Sequence, residues 1–275
     1  MELSGRVGIV TGASRGLGIL FAEELASRGM DLALAARSKD DLEETAERVR
    51  ARGRRALPVP TDVGDPAQLE ELVAATEREF GVVDLLVNNA GVELTGYSDR
   101  LELEDIERAV HINLTSLIQL TRLVIPGMIE RRRGHVCNIA STAGKVARPY
   151  ATVYAATKHA VIGFSWSLRA EIAEKGVEVS VVCPHYVSDV GMFADRKTRY
   201  GTPSPPRSIG EVSAHDVAVA AVEGIERNRA ETVVAPPMVQ IADLAHAFSP
   251  DLAMALARRT GAFDFVKREA TGESS

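Results

Sequence analysis

Short aliphatic runs alternate with segments of helical periodicity along most of this chain of 275 residues. Strands buried on both faces of a parallel sheet have this continuous apolar character, and the helices between them cover the two faces. The sequence therefore predicts a doubly wound α/β fold, with a parallel sheet of about seven strands and helices on both faces. The predicted strands cover residues 7–10, 31–35, 56–59, 83–87, 134–139, 178–182 and 232–234.

Glycines follow several of the predicted helices. A residue of left-handed conformation commonly follows the last helical turn, and glycine adopts that conformation without strain. Ser213 is a candidate cap for a further helix that runs to Ile225. The predicted helices cover residues 17–28, 39–52, 66–80 and 153–175, and they are followed by Gly29, Gly53, Gly81 and Gly176.

No linker or repeat divides the chain, and its 45% apolar and 25% charged residues are typical of a globular protein. We therefore expect one domain over residues 1–266. Residues 198–210 contain three prolines and four serines or threonines. This composition favours a loop over a packed element, and we expect a substrate loop near residues 189–212. The polar residues 267–275 are expected to form a disordered tail.

The formal net charge of −6 gives no broad basic surface, so nucleic acid is not an expected partner. Cys137 and Cys183 lie in valine-rich runs without CxxC spacing, which indicates core thiols rather than a disulfide or a zinc site. The sequence has neither an apolar run of about 20 residues nor a basic, apolar leader. We therefore expect a cytoplasmic protein without a transmembrane segment.

The first predicted strand leads into a glycine-rich turn, Thr11-Gly12-Ala13-Ser14-Arg15-Gly16-Leu17-Gly18, and helical periodicity begins after it. Glycines here allow the backbone to turn tightly and to approach a pyrophosphate at the positive end of a helix. Such loops also occur as plain turns, but the position between a strand and a helix favours a dinucleotide site.

The TGxxxGxG spacing of this turn resembles the short-chain dehydrogenase/reductase family, in its compact single-domain branch. Asp62-Val63 after the third strand, Asn88-Asn89-Ala90-Gly91 at the fourth and Asn113 in the next helix extend the resemblance, which covers residues 3–234. It implies a Rossmann-type sheet and a bound dinucleotide. The cofactor contacts that it implies are Gly12, Ser14, Arg15, Gly16, Leu17, Gly18, Asp62, Val63, Asn89, Ala90, Gly91, Tyr154, Lys158, Pro184 and Val187.

The second strand ends in Ala36-Arg37, where an enzyme that prefers NAD usually carries an acid for the ribose hydroxyls. Arg37 and Arg15 are both suited to bind a 2′-phosphate, although either arginine would also suit a solvated surface. Asp40 and Asp41 are expected to lie too far into the following helix to replace the missing acid. The sequence therefore favours NADP(H) over NAD(H).

Ser141, Tyr154 and Lys158 form the candidate catalytic set. Tyr154 and Lys158 are four residues apart in a predicted helix and share one face, and Ser141 follows the fifth strand at the ligand-binding edge of the sheet. A phenol has an ordinary pKa near 10, and an adjacent ammonium group lowers that pKa by favouring the phenolate. Tyr154 is therefore the candidate proton-transfer residue.

The family resemblance implies that Lys158 also holds the nicotinamide ribose, that Ser141 donates to the substrate oxygen and that Asn113 supports a water relay. The implied activity is hydride transfer between a nicotinamide and a ketone, aldehyde or secondary alcohol, with Tyr154 as general acid or base and no metal. The expected partners are a small carbonyl or alcohol substrate and further copies of the chain, in a homodimer or homotetramer.

The chain departs from the family after the sixth strand, where Pro-Gly-x-Val-x-Thr is usual and Pro184-His185-Tyr186-Val187-Ser188-Asp189 is found. Ser188 replaces the threonine hydroxyl only if the backbone shifts by one residue, and an anionic Asp189 beside a pyrophosphate is unfavourable unless it is paired or turned away. The candidate substrate-pocket residues are Val92, Glu93, Leu94, Ala143, His185, Tyr186 and Phe193, together with the predicted loop.

Residues 240–248 and 251–259 carry apolar side chains at helical spacing and end in two arginines. This amphipathic pattern suits packing on the protein's own domain, on a sister subunit or on a membrane surface, and the sequence leaves all three open. The residues concerned are Ile241, Leu244, Ala245, Phe248, Leu252, Leu256, Arg258 and Arg259.

A noncatalytic NADP(H)-binding sensor or scaffold is the alternative function from a different class. Such relatives typically lack the tyrosine or the lysine, whereas Tyr154 and Lys158 are both present here. The larger sugar epimerases and dehydratases also use Tyr-x-x-x-Lys, but they generally carry TGxxGxxG in place of the turn found in this sequence.

Overall fold

The computed structural model of the chain describes residues 1–200, 204–206 and 209–271. Seven strands pair in parallel in the order β3-β2-β1-β4-β5-β6-β7, which confirms the predicted doubly wound α/β fold. In chain order, these strands are β1 (Val7–Thr11), β2 (Asp31–Ala36), β3 (Ala56–Pro60), β4 (Leu85–Asn88), β5 (Gly134–Ile139), β6 (Val177–Pro184) and β7 (Glu231–Val234).

Helices lie between the strands and continue beyond the last of them. Within the described residues they are α1 (Leu17–Ser27), α2 (Lys39–Arg50), α3 (Pro66–Phe80), α4 (Leu103–Val110), α5 (Ser116–Glu130), α6 (Thr152–Ile172), α7 (Gly191–Tyr200), α8 (Ala214–Glu226), α9 (Pro237–Phe248), α10 (Pro250–Arg259) and α11 (Ala262–Thr271).

Both faces of the sheet are buried. Neighbouring residues along a strand point to opposite faces, so each strand contributes side chains to two cores. Val10 and Leu34 pack in one core cluster with residues of α1, α2 and α8. Ile9 and Ala35 pack in a second cluster with residues of α3 and α5. Cys137 in β5 is fully buried in the first of these cores, which confirms its interpretation as a core thiol.

The order of the strands also determines where a ligand can bind. The chain runs outward from β1 through β2 to β3 and then returns to the other side of β1 with β4. Connections that diverge in this way leave a crevice outside the carboxyl ends of the central strands, and ligands of such sheets bind there. The turns after β1, β2, β4, β5 and β6 all open into this crevice.

Two predictions about irregular segments were wrong in part. Residues 198–200 of the predicted loop belong to α7, while 204–206 lack regular structure and 201–203 and 207–208 lie outside the described residues. Residues 267–271 of the predicted tail belong to α11, and 272–275 lie outside the described residues. The last helix is held by an ion pair from Glu269 to Arg148, which is 121 positions away in sequence.

The amphipathic C-terminal segments form α9 and α10, and their apolar face does not pack on this domain. Phe248 is 90% exposed, so the single chain does not bury this face against its own domain. The exposed apolar residues of the two helices are Met238, Ile241, Leu244, Phe248, Leu252 and Leu256.

One helical run among the described residues, Leu103–Glu130, is long and apolar enough by length and composition to cross a membrane. It spans 28 residues, and its most apolar window has a mean hydropathy of 1.3 and is 39% buried. Leu120, Val124 and Met128 of this run pack in the core beneath the sheet. The run is weak evidence for a membrane span, because core helices of globular proteins meet the same criteria.

Candidate active site

A cleft of about 430 Å³ lies at the carboxyl edge of the sheet. It brings together almost every residue that the sequence placed in the site, although these residues come from six different connections of the fold. The predicted site residues that line it are Gly12, Ser14, Arg15, Gly16, Leu17, Arg37, Asp62, Val63, Asn89, Ala90, Gly91, Ser141, Tyr154, Lys158, Pro184 and Val187.

The glycine turn after β1 is pressed against the end of β4. Gly12 has a φ of +65°, and a Cβ atom there would lie 2.9 Å from Asn89 Nδ2. Asn89 Nδ2 in turn donates to the carbonyl oxygens of Thr11 at 2.9 Å and Gly12 at 3.2 Å. The bare backbone of the turn is therefore held open toward the cleft at the amino end of α1, where a phosphate group fits.

Gly18 has a different position from the other glycines of the turn. It does not line the cleft, and a Cβ atom there would lie 2.0 Å from the carbonyl oxygen of Gly12. Gly18 is thus required for close packing of α1 against the turn. Because it does not line the cleft, the structure does not place it in contact with a cofactor.

The charges at the end of the cleft beside β2 and α2 differ in part from expectation. Arg37 is exposed at the end of β2 and lines the cleft, as does Arg15, whose guanidinium lies 3.6 Å from the carboxylate of Asp195 in α7. Asp41 lines the cleft as well, because Ser38 caps α2 and leaves Asp41 in the first helical turn. Asp41 therefore lies closer to the cleft than the sequence predicted.

Ser141, Tyr154 and Lys158 all line the cleft. Ser141 follows β5, and its Oγ accepts from the Ala143 amide at 3.1 Å and donates to the Pro184 carbonyl at 3.4 Å. Lys158 Nζ lies 5.7 Å from the centroid of the Tyr154 ring, and all three side chains are buried. The three polar groups therefore face one small volume.

Burial is the largest influence on Lys158, since it disfavours the charged ammonium and lowers the pKa of this group to about 8. Cys183 and Glu93 oppose that shift. Lys158 Nζ keeps one hydrogen bond within the protein, to the carbonyl oxygen of Ile139 at 2.8 Å.

Asn113 lies behind the cleft in a π-helical turn, His111–Thr115, that joins α4 to α5. Such turns are frequent at functional sites. The Asn113 amide bonds the backbone of Val92 through both its Oδ1 and Nδ2 atoms at 2.8 Å. A Cβ atom at Gly91 would lie 3.2 Å from Asn113 Oδ1 and 3.8 Å from Lys158 Nζ, so the Gly91 backbone passes between the two side chains.

The departure after β6 is accommodated without placing a charge in the cleft. Asp189 accepts from the Ala214 amide at 2.9 Å and so is turned toward the start of α8. The Ser188 hydroxyl donates to the Val212 carbonyl at 3.3 Å and does not line the cleft. His185 Nδ1 lies 3.0 Å from Thr142 Oγ1, and burial and the nearby Arg148 lower the pKa of His185 to about 4.

The candidate substrate-pocket residues divide into two groups. Leu94 and Ala143 do not line the cleft, and Ala143 instead packs beneath Tyr154. Val92, Glu93, His185, Tyr186 and Phe193 do line it.

Sequence reasoning missed Arg148, Glu269 and Phe265. Arg148 lines the cleft, Glu269 pairs with it, and Phe265 packs against Tyr186 at a centroid distance of 5.8 Å. The only sequence signal was the spacing of Phe265 and Glu269, four residues apart and hence on one face of a helix.

Known proteins match this architecture. The short chain dehydrogenase family model matches residues 6–201. The ketoacyl reductase HetN of Nostoc sp. is 38% identical over 232 residues, which cover 84% of this chain and 79% of that protein.

Two solved structures are also similar. A short-chain dehydrogenase/reductase of Burkholderia phymatum in complex with NAD has a TM-score of 0.81 and 30% identity, with 92% of this chain and 96% of that chain covered. A variant of an actinorhodin polyketide ketoreductase with NADPH has a TM-score of 0.78 and 32% identity, with 87% of this chain and 98% of that chain covered.

The family model covers most of the sheet and the whole Tyr154 to Lys158 turn, and the similar structures extend over nearly the full chain. This chain therefore belongs to the short-chain dehydrogenase/reductase family and is an oxidoreductase of that family.

Proposed function

We propose that the protein is an NADP(H)-dependent oxidoreductase that transfers hydride between the nicotinamide and a ketone, an aldehyde or a secondary alcohol. The observation that carries this proposal is that Tyr154, Lys158 and Ser141 line one cleft, with Lys158 Nζ 5.7 Å from the centroid of the Tyr154 ring. The name of the Nostoc relative, a ketoacyl reductase, supports a carbonyl substrate.

The cleft suits a dinucleotide. The backbone of Gly12 to Leu17 would hold the pyrophosphate, and Asp62 and Val63 would face the adenine. Lys158 would hold the nicotinamide ribose, with Pro184 and Val187 beside the ring. When it is bound, the nicotinamide supplies the hydride for reduction or takes it up in oxidation.

The chain's own residues supply the proton chemistry. The Lys158 ammonium stabilises the phenolate of Tyr154. The Ser141 hydroxyl exchanges its 3.4 Å bond to the Pro184 carbonyl for a hydrogen bond that it donates to the substrate oxygen. In reduction, Tyr154 gives its proton to that oxygen; in oxidation, it removes the proton from the alcohol. Asn113 fixes the Val92 backbone through two hydrogen bonds. It would also support a water relay that returns a proton to this site.

A substrate panel tests the proposed function. The purified protein is assayed by NADPH oxidation with quinones, steroids, aliphatic ketones and 3-oxoacyl thioesters, and we expect turnover with at least one of these carbonyl classes. If no compound of the panel is turned over while NADPH binding is measurable, the sensor or scaffold function would be favoured instead.

We expect Arg37→Asp to reverse the preference between the two cofactors, because it replaces the proposed partner of the 2′-phosphate by a repelling carboxylate. The ratio of kcat/KM with NADPH to kcat/KM with NADH should fall about 100-fold. Arg108→Asp, at an exposed position of α4 outside the cleft, is the matched control and should leave the ratio unchanged. An unchanged ratio in Arg37→Asp would refute NADP(H) selection by this residue.

Two further expectations accompany this function. Assembly into a homodimer or homotetramer and a cytoplasmic location stay predictions, and the exposed apolar face of α9 and α10 supports the first of them.

A further inference from the structure

Arg148 joins three segments that are far apart in the sequence. It lies in the connection between β5 and α6, and its NH2 group is 3.0 Å from Glu93 Oε1 and 3.0 Å from Glu269 Oε2. Glu93 follows β4, whereas Glu269 belongs to α11 near the carboxyl end of the described chain. The side chains of Arg148, Glu93 and Glu269 are 13%, 10% and 0% exposed, so the three charges are largely withdrawn from water.

The same arginine faces the reacting groups. Its guanidinium carbon lies 4.9 Å from the centroid of the Tyr186 ring and 5.9 Å from that of Tyr154. Glu93, Arg148 and Tyr186 line the cleft, while Glu269 stands behind Arg148. Arg148 is therefore one contact through which α11 reaches residues that line the cleft.

Helix α11 makes a second contact at the same place. Phe265 lies one turn before Glu269, is buried, and meets the edge of Tyr186 at 5.8 Å between ring centroids. Tyr186 also packs on Phe193 of α7 at 4.7 Å. One face of α11 thus fixes both the arginine and the central aromatic ring of the pocket wall.

Charge pairing makes the contact strong. A buried arginine is tolerated only with counter-charges, and removing one partner of a buried pair is strongly destabilising locally. Burial acts to lower the pKa of Arg148, but Tyr186, Glu93 and Glu269 outweigh it and the pKa is raised. The cation therefore persists at every physiological pH, and the pair with Glu269 does not open by titration of Arg148.

We propose that α11 supports the wall of the substrate pocket from outside. The Glu269–Arg148 pair and the Phe265–Tyr186 contact form the clasp that fixes Arg148 and Tyr186 in this wall and so sets which carbonyl substrates fit. This inference rests on the proposed function. The wall restricts the size of the substituents on the carbonyl. Two carboxylates pair with the NH2 group of one guanidinium, so the three groups carry a net negative charge. This charge favours neutral carbonyl compounds over carboxylates of similar size.

Glu269→Gln tests the clasp, since it removes the charge while keeping the shape and a hydrogen-bonding group. We expect kcat/KM for a bulky ketone, relative to a small ketone, to rise about tenfold or more, mainly through KM for the bulky substrate. Phe265→Ala should shift the ratio in the same direction without changing any charge. Asp264→Asn removes an exposed carboxylate from the same helix and is the matched control.

Amide hydrogen exchange separates this proposal from the proposed function. In Glu269→Gln, exchange across residues 262–271 should accelerate while that of the central strands stays unchanged. A uniform loss of activity with an unchanged ratio in both variants would overturn the clasp as a specificity device. If the wild-type protein reduced no carbonyl, the proposed function would fall, and unaltered exchange in α11 would then overturn the clasp as well.

Discussion

Tyr154→Phe is expected to lower kcat/KM for carbonyl reduction about 1000-fold, because positioned acid–base groups typically contribute factors of this size. The ring of Tyr154 is buried and packs with Ala143 and Ala151. Phenylalanine fills the same volume and lacks only the hydroxyl group. The loss should therefore appear in turnover, while the dissociation constant of NADPH changes less than about twofold.

Steady-state kinetics and NADPH fluorescence titration measure the two quantities on the same preparations. Tyr97→Phe is the matched control, because Tyr97 lies outside the cleft lining, and it should retain wild-type turnover. If Tyr154→Phe kept most of the wild-type kcat with normal NADPH binding, another group would have to supply the proton and the assignment of Tyr154 would be lost.

The sheet was predictable because its strands are buried on both faces. The runs that become β1 and β2 are apolar at nearly every position, so they differ in character from the amphipathic helices beside them. The glycine turn was predictable for a related reason. Gly12 adopts a positive φ and packs against Asn89, and only glycine tolerates both conditions. The glycine in the sequence therefore indicates this tight turn directly.

The support of the pocket wall by α11 was not predictable from local sequence. Residues 267–271 are polar, and polar composition at a terminus ordinarily indicates disorder. What orders them is Arg148, and no local pattern of hydrophobicity reports a buried ion pair between residues so far apart in the chain. The position of Asp41 was not predictable either, because the exact start of α2 at its Ser38 cap decides whether Asp41 faces the cleft.

Lys158→Met should make the protein less active and more stable. Burial lowers the pKa of Lys158 to about 8, below the value near 10.4 expected in the unfolded chain. Keeping the ammonium charged in the folded protein therefore costs about 3 kcal/mol at neutral pH. Loss of the bond to the Ile139 carbonyl offsets part of the gain, so we expect the free energy of unfolding to rise by about 2 kcal/mol.

The pH dependence of that gain identifies its cause. A lowered lysine pKa penalises the fold fully below pH 8, and the penalty declines as the pH rises from about 8 to about 10.4, where the unfolded chain also loses the proton. Urea unfolding should thus show the gain of Lys158→Met at pH 7 and a much smaller gain at pH 10, while turnover falls about 1000-fold. Lys175→Met, at an exposed position, should change stability little at either pH. Equal stability of Lys158→Met and the wild-type protein at pH 7, or a larger gain at pH 10, would show that burial of the ammonium is not what limits the stability of this site.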